Sequence, residues 1–238
     1  MGGQVVTQAV LQGWEWSQAM DALDAPEARA VETAADWWVP PDGCRDLIVS
    51  CAPGMAPAWF VSPLMDCAMQ GSSTAGQRMA GVRCHPAARL SQAAETGLVA
   101  AAEHGQVETL ADLQRLAGNY VAMDERLAEA LAVLEEAVSV AAACRLLGVH
   151  ERSLQRLVGA GSGRPPAYWL GLARLRRTAL RLEPGQPLAD LAAAQGYADQ
   201  AHMSRAFRHW LGMTPTALRQ SPERLALLRS PGFGNGGG

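Results

Sequence analysis

Two short runs carry residues able to make directional, planar hydrogen bonds to another molecule. Arg152, Gln155 and Arg156 stand at i, i+3 and i+4, a spacing that puts side chains on one face of a helix. Gln200, His202 and Arg205, further along, are the reading candidates of a second helix. Arginine offers a rigid fork of donors that matches the O6 and N7 acceptors of guanine, and glutamine can bond N6 and N7 of adenine in the same two-point way. Ala201, beside them, is small enough to meet a thymine methyl. The bland readings stand next to these. Arg156 and Arg205 could hold phosphate alone, which fixes position without reading a base, and His202 could be an ordinary surface residue. Arg174 reads as structural, paired with a buried acid or carbonyl. Arg176, Arg177, Arg181 and Arg208 are phosphate candidates at most.

The elements that must position these residues occur twice. AAACRLLGVHERSLQR (141–156) and LADLAAAQGYADQAHMSR (188–205) share a plan. Each has a short Ala/Leu helix, then glycine with an apolar residue, then a polar helix with one apolar anchor and an arginine two residues later. Gly148 and Gly196 are 48 residues apart, and the closing GRPP and GMTP runs begin at Gly163 and Gly212, 49 apart. Glycine at the turn suits a left-handed backbone position, and the apolar residue after it, Val149 or Tyr197, can plug the angle between two helices. This is the helix-turn-helix pattern. The polar helices are expected from Glu151 to Val158 and from Gln200 to Trp210, the second capped by Asp199. Leu154, Met203, Phe207 and Trp210 are assigned to the core.

Residues 188–219 resemble the second helix-turn-helix of AraC-type (AraC/XylS) transcription regulators, through Gly-Tyr, Asp-Gln-x-His, Ser-Arg-x-Phe-Arg and Gly-x-x-Pro. The resemblance extends more loosely over 137–220. It implies that the six residues named above face double-stranded DNA. The chain also departs from the family. His150 replaces the usual serine before the first polar helix and is a poorer cap. Val158 stands where an aromatic is usual, and Gly159–Gly163 lacks basic residues and reads as a flexible loop.

The first half has a different character. Val5–Trp16, Leu47–Val49, Trp59–Val61 and Met79–Cys84 are short apolar runs bounded by Gly and Pro, which read as strands. PDGCRDLI (41–48), Phe60-Val61-x-Pro63 and Gly81-Val82-Arg83 resemble a small, truncated cupin-like sensor domain found ahead of some AraC-type domains. From Leu90 the chain is Ala- and Leu-rich. Leu127, Leu131, Leu134 and Val138 make one apolar stripe, which could pack on its own chain or form a dimer seam.

Charge divides at the same place. The chain has 238 residues and a net charge of −3. Residues 1–136 hold 7 Arg against 18 acids, a net of −11, and residues 137–238 hold 13 Arg against 5, a net of +8; there is no Lys. A basic domain joined to an acidic one suggests a polyanion partner for the former. Trp14, Trp16, Trp37, Trp38 and Trp59 could line an apolar pocket or fill the core of a small β unit.

Three rival functions follow for the acidic half. The resemblance implies a small-molecule effector. Cys44, Cys51, Cys67, Cys84 and His85 offer soft ligands for metal or redox sensing, against the bland reading that cysteine is often buried. Catalysis finds no support, because no nucleophile–base pattern, phosphate loop or zinc-protease motif occurs. No apolar run is long enough for a membrane helix, and the first residues lack a basic segment ahead of an apolar one. The chain is therefore expected to be cytoplasmic, its five cysteines reduced thiols.

The expectation is an α+β chain. It has a small β-rich, truncated cupin-like sensor at 1–90, a helical connector or dimerisation region at 91–136, an all-α domain with two helix-turn-helix motifs at 137–220, and a flexible tail at 221–238. The expected partners are double-stranded DNA, RNA polymerase if the chain activates, a small-molecule effector, and a second copy as a homodimer. No cofactor, metal or membrane is expected. The departures around the first polar helix predict that the second dominates specificity. Binding measurements on Arg152→Ala and Arg205→Ala check this: Arg205→Ala should relax base preference more, and the reverse order refutes the ranking.

Overall fold

The computed structural model describes residues 11–16, 35–105, 107, 110–230 and 232–234. They form two compact units. The expectation for Val5–Val10 lies outside the described residues.

In the first unit, β1 (Leu11–Trp16), β3 (Arg45–Cys51), β4 (Ala58–Val61) and β6 (Arg78–Cys84) form an antiparallel sheet in the order β1-β6-β3-β4. β2 (Ala35–Val39) pairs with β5 (Met69–Ser73), and the two-residue strands β7 (Ala88–Arg89) and β8 (Ala122–Met123) pair with each other. Register puts Leu47 opposite both Val61 and Val82. Leu47, Val82 and Cys84 pack with Leu98 of α1 (Gln92–His104) and with Leu113 and Ala117 of α2 (Leu110–Gly118), and Trp59 packs against this cluster. Period-2 alternation thus gives the sheet one helix-covered face. Ser91 caps α1 through the Ala94 N–H. Arg45 of β3 reaches Glu95 of α1 at 2.5 Å, while Arg83 grips both carboxylate oxygens of Asp46 at 3.1 and 3.2 Å.

Of the tryptophans, Trp59 serves the core, and Trp37 lies so close to Gly71 that a Cβ there would fall 2.3 Å from its ring. Trp38 belongs to the second unit and is buried under the Arg224 guanidinium, 5.5 Å from its ring. The side chains of Trp14 and Trp16 lie outside the described residues.

The second unit runs from Glu125 onward and includes two earlier segments, 38–43 and 64–70. Its helices are α3 (Glu125–Glu136), α4 (Val140–Leu147), α5 (Glu151–Ser162), α6 (Pro166–Leu180), α7 (Leu188–Ala194), α8 (Gln200–Leu211), α9 (Pro215–Arg219) and α10 (Pro222–Leu228). α6 is the central helix. Trp169, Leu172, Leu175 and Arg176 are all fully buried on it. α3 packs on α6, α4 and α5, with Leu127, Leu131 and Leu134 buried. The apolar stripe therefore packs on its own chain. Val138 is not part of it: α3 ends at Glu136, and Val138 is 78% exposed. The expected connector at 91–136 also divides, α1 and α2 grouping with the strands and α3 with the later helices. No helix among the described residues is long and apolar enough to cross a membrane.

The expected flexible tail at 221–238 does not hold for 222–230 and 232–234. Residues 222–228 are helical, and the Phe233 ring packs edge-on against Trp169 at 4.9 Å. The Phe233 N–H donates to the Asp42 carbonyl at 2.8 Å, and the Gly234 N–H donates to Glu135 at 3.0 Å. One aromatic residue among the glycines supplies enough apolar surface to order the segment beside it. Phe233→Ala should lower stability by about 3 kcal/mol, read as a shift in the urea midpoint; a loss below about 1 kcal/mol would mean that the ring adds little to the core.

Candidate nucleic-acid interface

Each motif is a pair of helices that meet at a glycine turn. In the first, the Ser139 hydroxyl accepts from the Ala142 N–H at 3.1 Å and starts α4. Gly148 then takes the left-handed conformation, with φ of 65°, and the Val149 N–H returns to the Cys144 carbonyl at 3.0 Å. α5 begins after His150, whose side chain makes no capping bond. In the second, α7 leads to Gly196, with φ of 72°, and Tyr197. Asp199 caps α8 by accepting from the His202 N–H at 2.6 Å. The expected difference in capping between His150 and Asp199 is present.

The turn plugs differ as well. Tyr197 is buried, with the Arg174 guanidinium 5.6 Å from its ring and His202 edge-on at 5.3 Å. Val149, expected to fill the equivalent angle, is 39% exposed. Two methyls do not span the gap that a phenol ring fills.

Arg152, Gln155 and Arg156 are exposed on α5, opposite the buried Leu154 and Val158. Gln200, Ala201 and Arg205 are exposed on α8, and His202 is half-buried. Met203, Phe207 and Trp210 fill the core beneath them. On α5 the three side chains share one face away from the core; on α8, Gln200, His202 and Arg205 stand at i, i+2 and i+5 and are spread around the helix. Gln155 already donates to the Glu151 carboxylate at 3.1 Å, so an adenine edge must compete with an internal acceptor. His202 accepts the Ala198 N–H on Nδ1 at 3.3 Å. In the neutral ring this leaves the proton on Nε2, which is then a donor.

The other arginines separate by burial. Arg174 donates to the Val138 carbonyl at 3.0 Å, the structural role expected of it. Arg176 is corrected from phosphate candidate to core residue. It is fully buried and donates to the carbonyls of Pro41, Leu228 and Ser230 at 3.1, 3.2 and 2.8 Å. Arg177 turns to the Glu135 carbonyl and the Glu136 carboxylate. Arg208 is exposed, and Arg181, also exposed, donates to Gln195 at 2.9 Å.

The expected flexible loop after α5 is helix. α5 continues through Gly159 and Gly161 to Ser162 before the left-handed cap Gly163. The Ser162 hydroxyl donates to the Val158 carbonyl at 2.7 Å and accepts the Trp169 indole N–H at 2.9 Å. The sequence reading missed Arg164 altogether. It follows the cap and donates to the Leu64 carbonyl at 2.7 Å, a contact a hundred residues away that no local pattern announces.

The cysteines do not assemble. Among the described residues, no three His, Cys, Asp or Glu side chains are grouped to hold a metal ion. Cys44, Cys84 and Cys144 are buried, Cys51 is half-buried and Cys67 is exposed. Burial, and then the Asp46 carboxylate, push the Cys84 thiol up to about 12, so it stays protonated and a poor nucleophile.

Residues 143–221 match a family model described as a helix-turn-helix domain. No curated protein matches the sequence. Among solved structures, the chain is similar to the C-terminal domain of AraT, a response regulator from Geobacillus stearothermophilus, with 20% identity and a TM-score of 0.38 over 41% of this chain and 86% of that one. It is also similar to ToxT from Vibrio cholerae, with 9% identity and a TM-score of 0.44 over 92% and 98%. For ToxT bound to an unsaturated fatty acid, the figures are 7% and 0.39 over 88% and 95%.

The glycines of α5 give a paired test of its packing. A Cβ on Gly159 meets open space, whereas one on Gly161 falls 2.7 Å from a methyl of the fully buried Leu127. Gly159→Ala should gain about 0.5–1 kcal/mol from reduced chain entropy, and Gly161→Ala should lose about 1–3 kcal/mol by overpacking. Denaturation midpoints of the two variants check the opposite signs; equal shifts would mean that α3 does not press on α5.

Proposed function

We propose that this chain, whose C-terminal region is an AraC-type helix-turn-helix domain, is a sequence-specific DNA-binding transcription regulator of the cytoplasm, controlled by a small molecule acting on its β-rich unit. One observation carries the DNA-binding part. Two helices, each rooted in the core by large apolar residues, expose polar side chains able to read bases on their outer faces. Arg152, Gln155 and Arg156 read one subsite, and Gln200, His202 and Arg205 the other, each helix lying in the major groove. With no lysine in the chain, phosphate contacts fall to arginine, polar side chains and helix N-termini.

A single chain with two readers reads a non-palindromic site, and a homodimer would read repeated ones. An activator would also meet RNA polymerase. Effector control is favoured over metal or redox sensing by the scattered cysteines and the protonated Cys84. The effector must bind one state of the chain better than another to shift it. The chain itself supplies a route, because segments 38–43 and 64–70 belong to the helical unit while β3, β4 and most of β5 belong to the other.

Selection of duplexes by the purified chain, followed by titration of an enriched one at rising salt, tests the reading. Six to ten phosphate contacts should cost about a thousandfold or more in affinity between 50 and 200 mM salt. Absence of salt-dependent binding to any enriched duplex refutes it.

A further inference from the structure

The segment 64–70 touches the C-terminal ends of both polar helices. At α5, Arg164 follows directly on the cap Gly163. Its guanidinium donates to the Leu64 carbonyl at 2.7 Å and meets the Asp66 carboxylate at 2.9 Å. At α8, the Trp210 carbonyl lies in the last turn, where carbonyls lack a helical partner, and it accepts the Ala68 N–H at 2.6 Å. Between these ends, the Tyr168 hydroxyl of α6 donates to the Met65 carbonyl at 2.9 Å. The Tyr168 ring lies under the Arg164 guanidinium at 5.3 Å and against the Trp210 ring at 5.2 Å. Five consecutive residues of an otherwise irregular segment are thus fastened at one end to the first helix, at the other to the second, and in the middle to the helix that joins the two motifs.

We propose that Leu64–Ala68 is a strut that sets the separation of the two readers, with Arg164 and Tyr168 as its positioning residues. This rests on the DNA-reading function proposed above. Readers joined in one chain can engage a duplex together only if their separation matches the repeat of the major groove, about 34 Å. A small change of angle at the ends of α5 and α8 therefore changes which subsite spacing is bound. It does not change which bases each helix prefers, because the strut's bonds to Arg164, Tyr168 and the Trp210 carbonyl involve none of the reading side chains. Arg164 suits the task because its fork can hold a carbonyl and a carboxylate at once.

The test uses the full chain and a pool of duplexes carrying both subsites with variable inserts between them. The wild type should prefer one insert length over its neighbours by about tenfold, and Arg164→Ala and Tyr168→Phe should each reduce that preference to about threefold or less, as expected for losing one or two hydrogen bonds of this kind. Base preference within each subsite should stay as in the wild type, and Arg164→Lys should restore part of the spacing preference. Tyr168→Phe keeps the ring contacts, so it carries the test if Arg164→Ala fails to fold. Variants that retain the wild-type spacing preference, that lose base preference within a subsite, or that fold and bind nothing overturn the strut. A wild-type chain that enriches no duplex instead removes the reading beneath it.

Discussion

The helical unit closes around one buried guanidinium. Taking an arginine out of water costs several kcal/mol unless its donors are met, and Arg176 meets three carbonyls from two places in the chain: Pro41, and Leu228 with Ser230. Those carbonyls hold a loop that precedes β3 and the tail that follows α10. The same loop and tail meet each other through Asp42 and Phe233, and Gly43 turns tightly enough there that a Cβ would fall 2.9 Å from both Phe233 and Trp169. A left-handed φ of 75° at that position adds a second reason for glycine. The helix bearing Arg176 and Trp169 joins the two motifs, so both polar helices are tied to this clasp.

Much of the helical unit was legible in its sequence, because helix-turn-helix signals are local. Glycine at 148, 163, 196 and 212, an aspartate cap at 199, and apolar anchors at 154, 203 and 207 all act within a turn or two of where they stand. The clasp and the strut were not legible for the opposite reason. Arg176 reads as one more basic residue on a basic surface until its partners, 135 and 54 residues away, are in place. The tail was misread because glycine content speaks for the backbone, while Phe233 acts through a tertiary contact. The flexible loop after Val158 was misread likewise: Gly159 and Gly161 cost helix stability locally, but Gly161 repays it by admitting Leu127 at close range. The positions of β1, β3, β4 and β6 followed from short apolar runs between breakers, whereas β2 and β5 went unread and α3 joined the later helices through packing that periodicity alone cannot assign.

Arg152, Gln155 and Arg156 were legible as types and as a face, since i, i+3, i+4 spacing on a helix with one buried side leaves little choice of outer face, whereas Gln200, His202 and Arg205 were legible as types alone. The internal bonds were not. Gln155 is engaged by Glu151, and His202 receives the Ala198 N–H. Both follow from side-chain conformations that spacing does not fix. One gives the amide an internal partner, and the other leaves Nε2 as the donor of the neutral imidazole.

The two motifs are unequal in how they are held. The second carries its own restraints: an aspartate cap, a buried tyrosine plug and a dense cluster of Met203, Phe207 and Trp210. The first lacks a side-chain cap at His150, leaves Val149 partly exposed, and leaves Leu146 72% exposed. Its polar helix, α5, is instead braced from outside, by Leu127 against Gly161 and by the segment reached from Arg164. A helix fixed by its own motif presents the same face whatever surrounds it. A helix fixed by neighbours presents a face that moves when they do. One of those neighbours, the stretch of chain running from β4 to β5, also reaches the second helix, where the Ala68 N–H donates to the Trp210 carbonyl, so the two helices differ in their own restraints and share one outside brace.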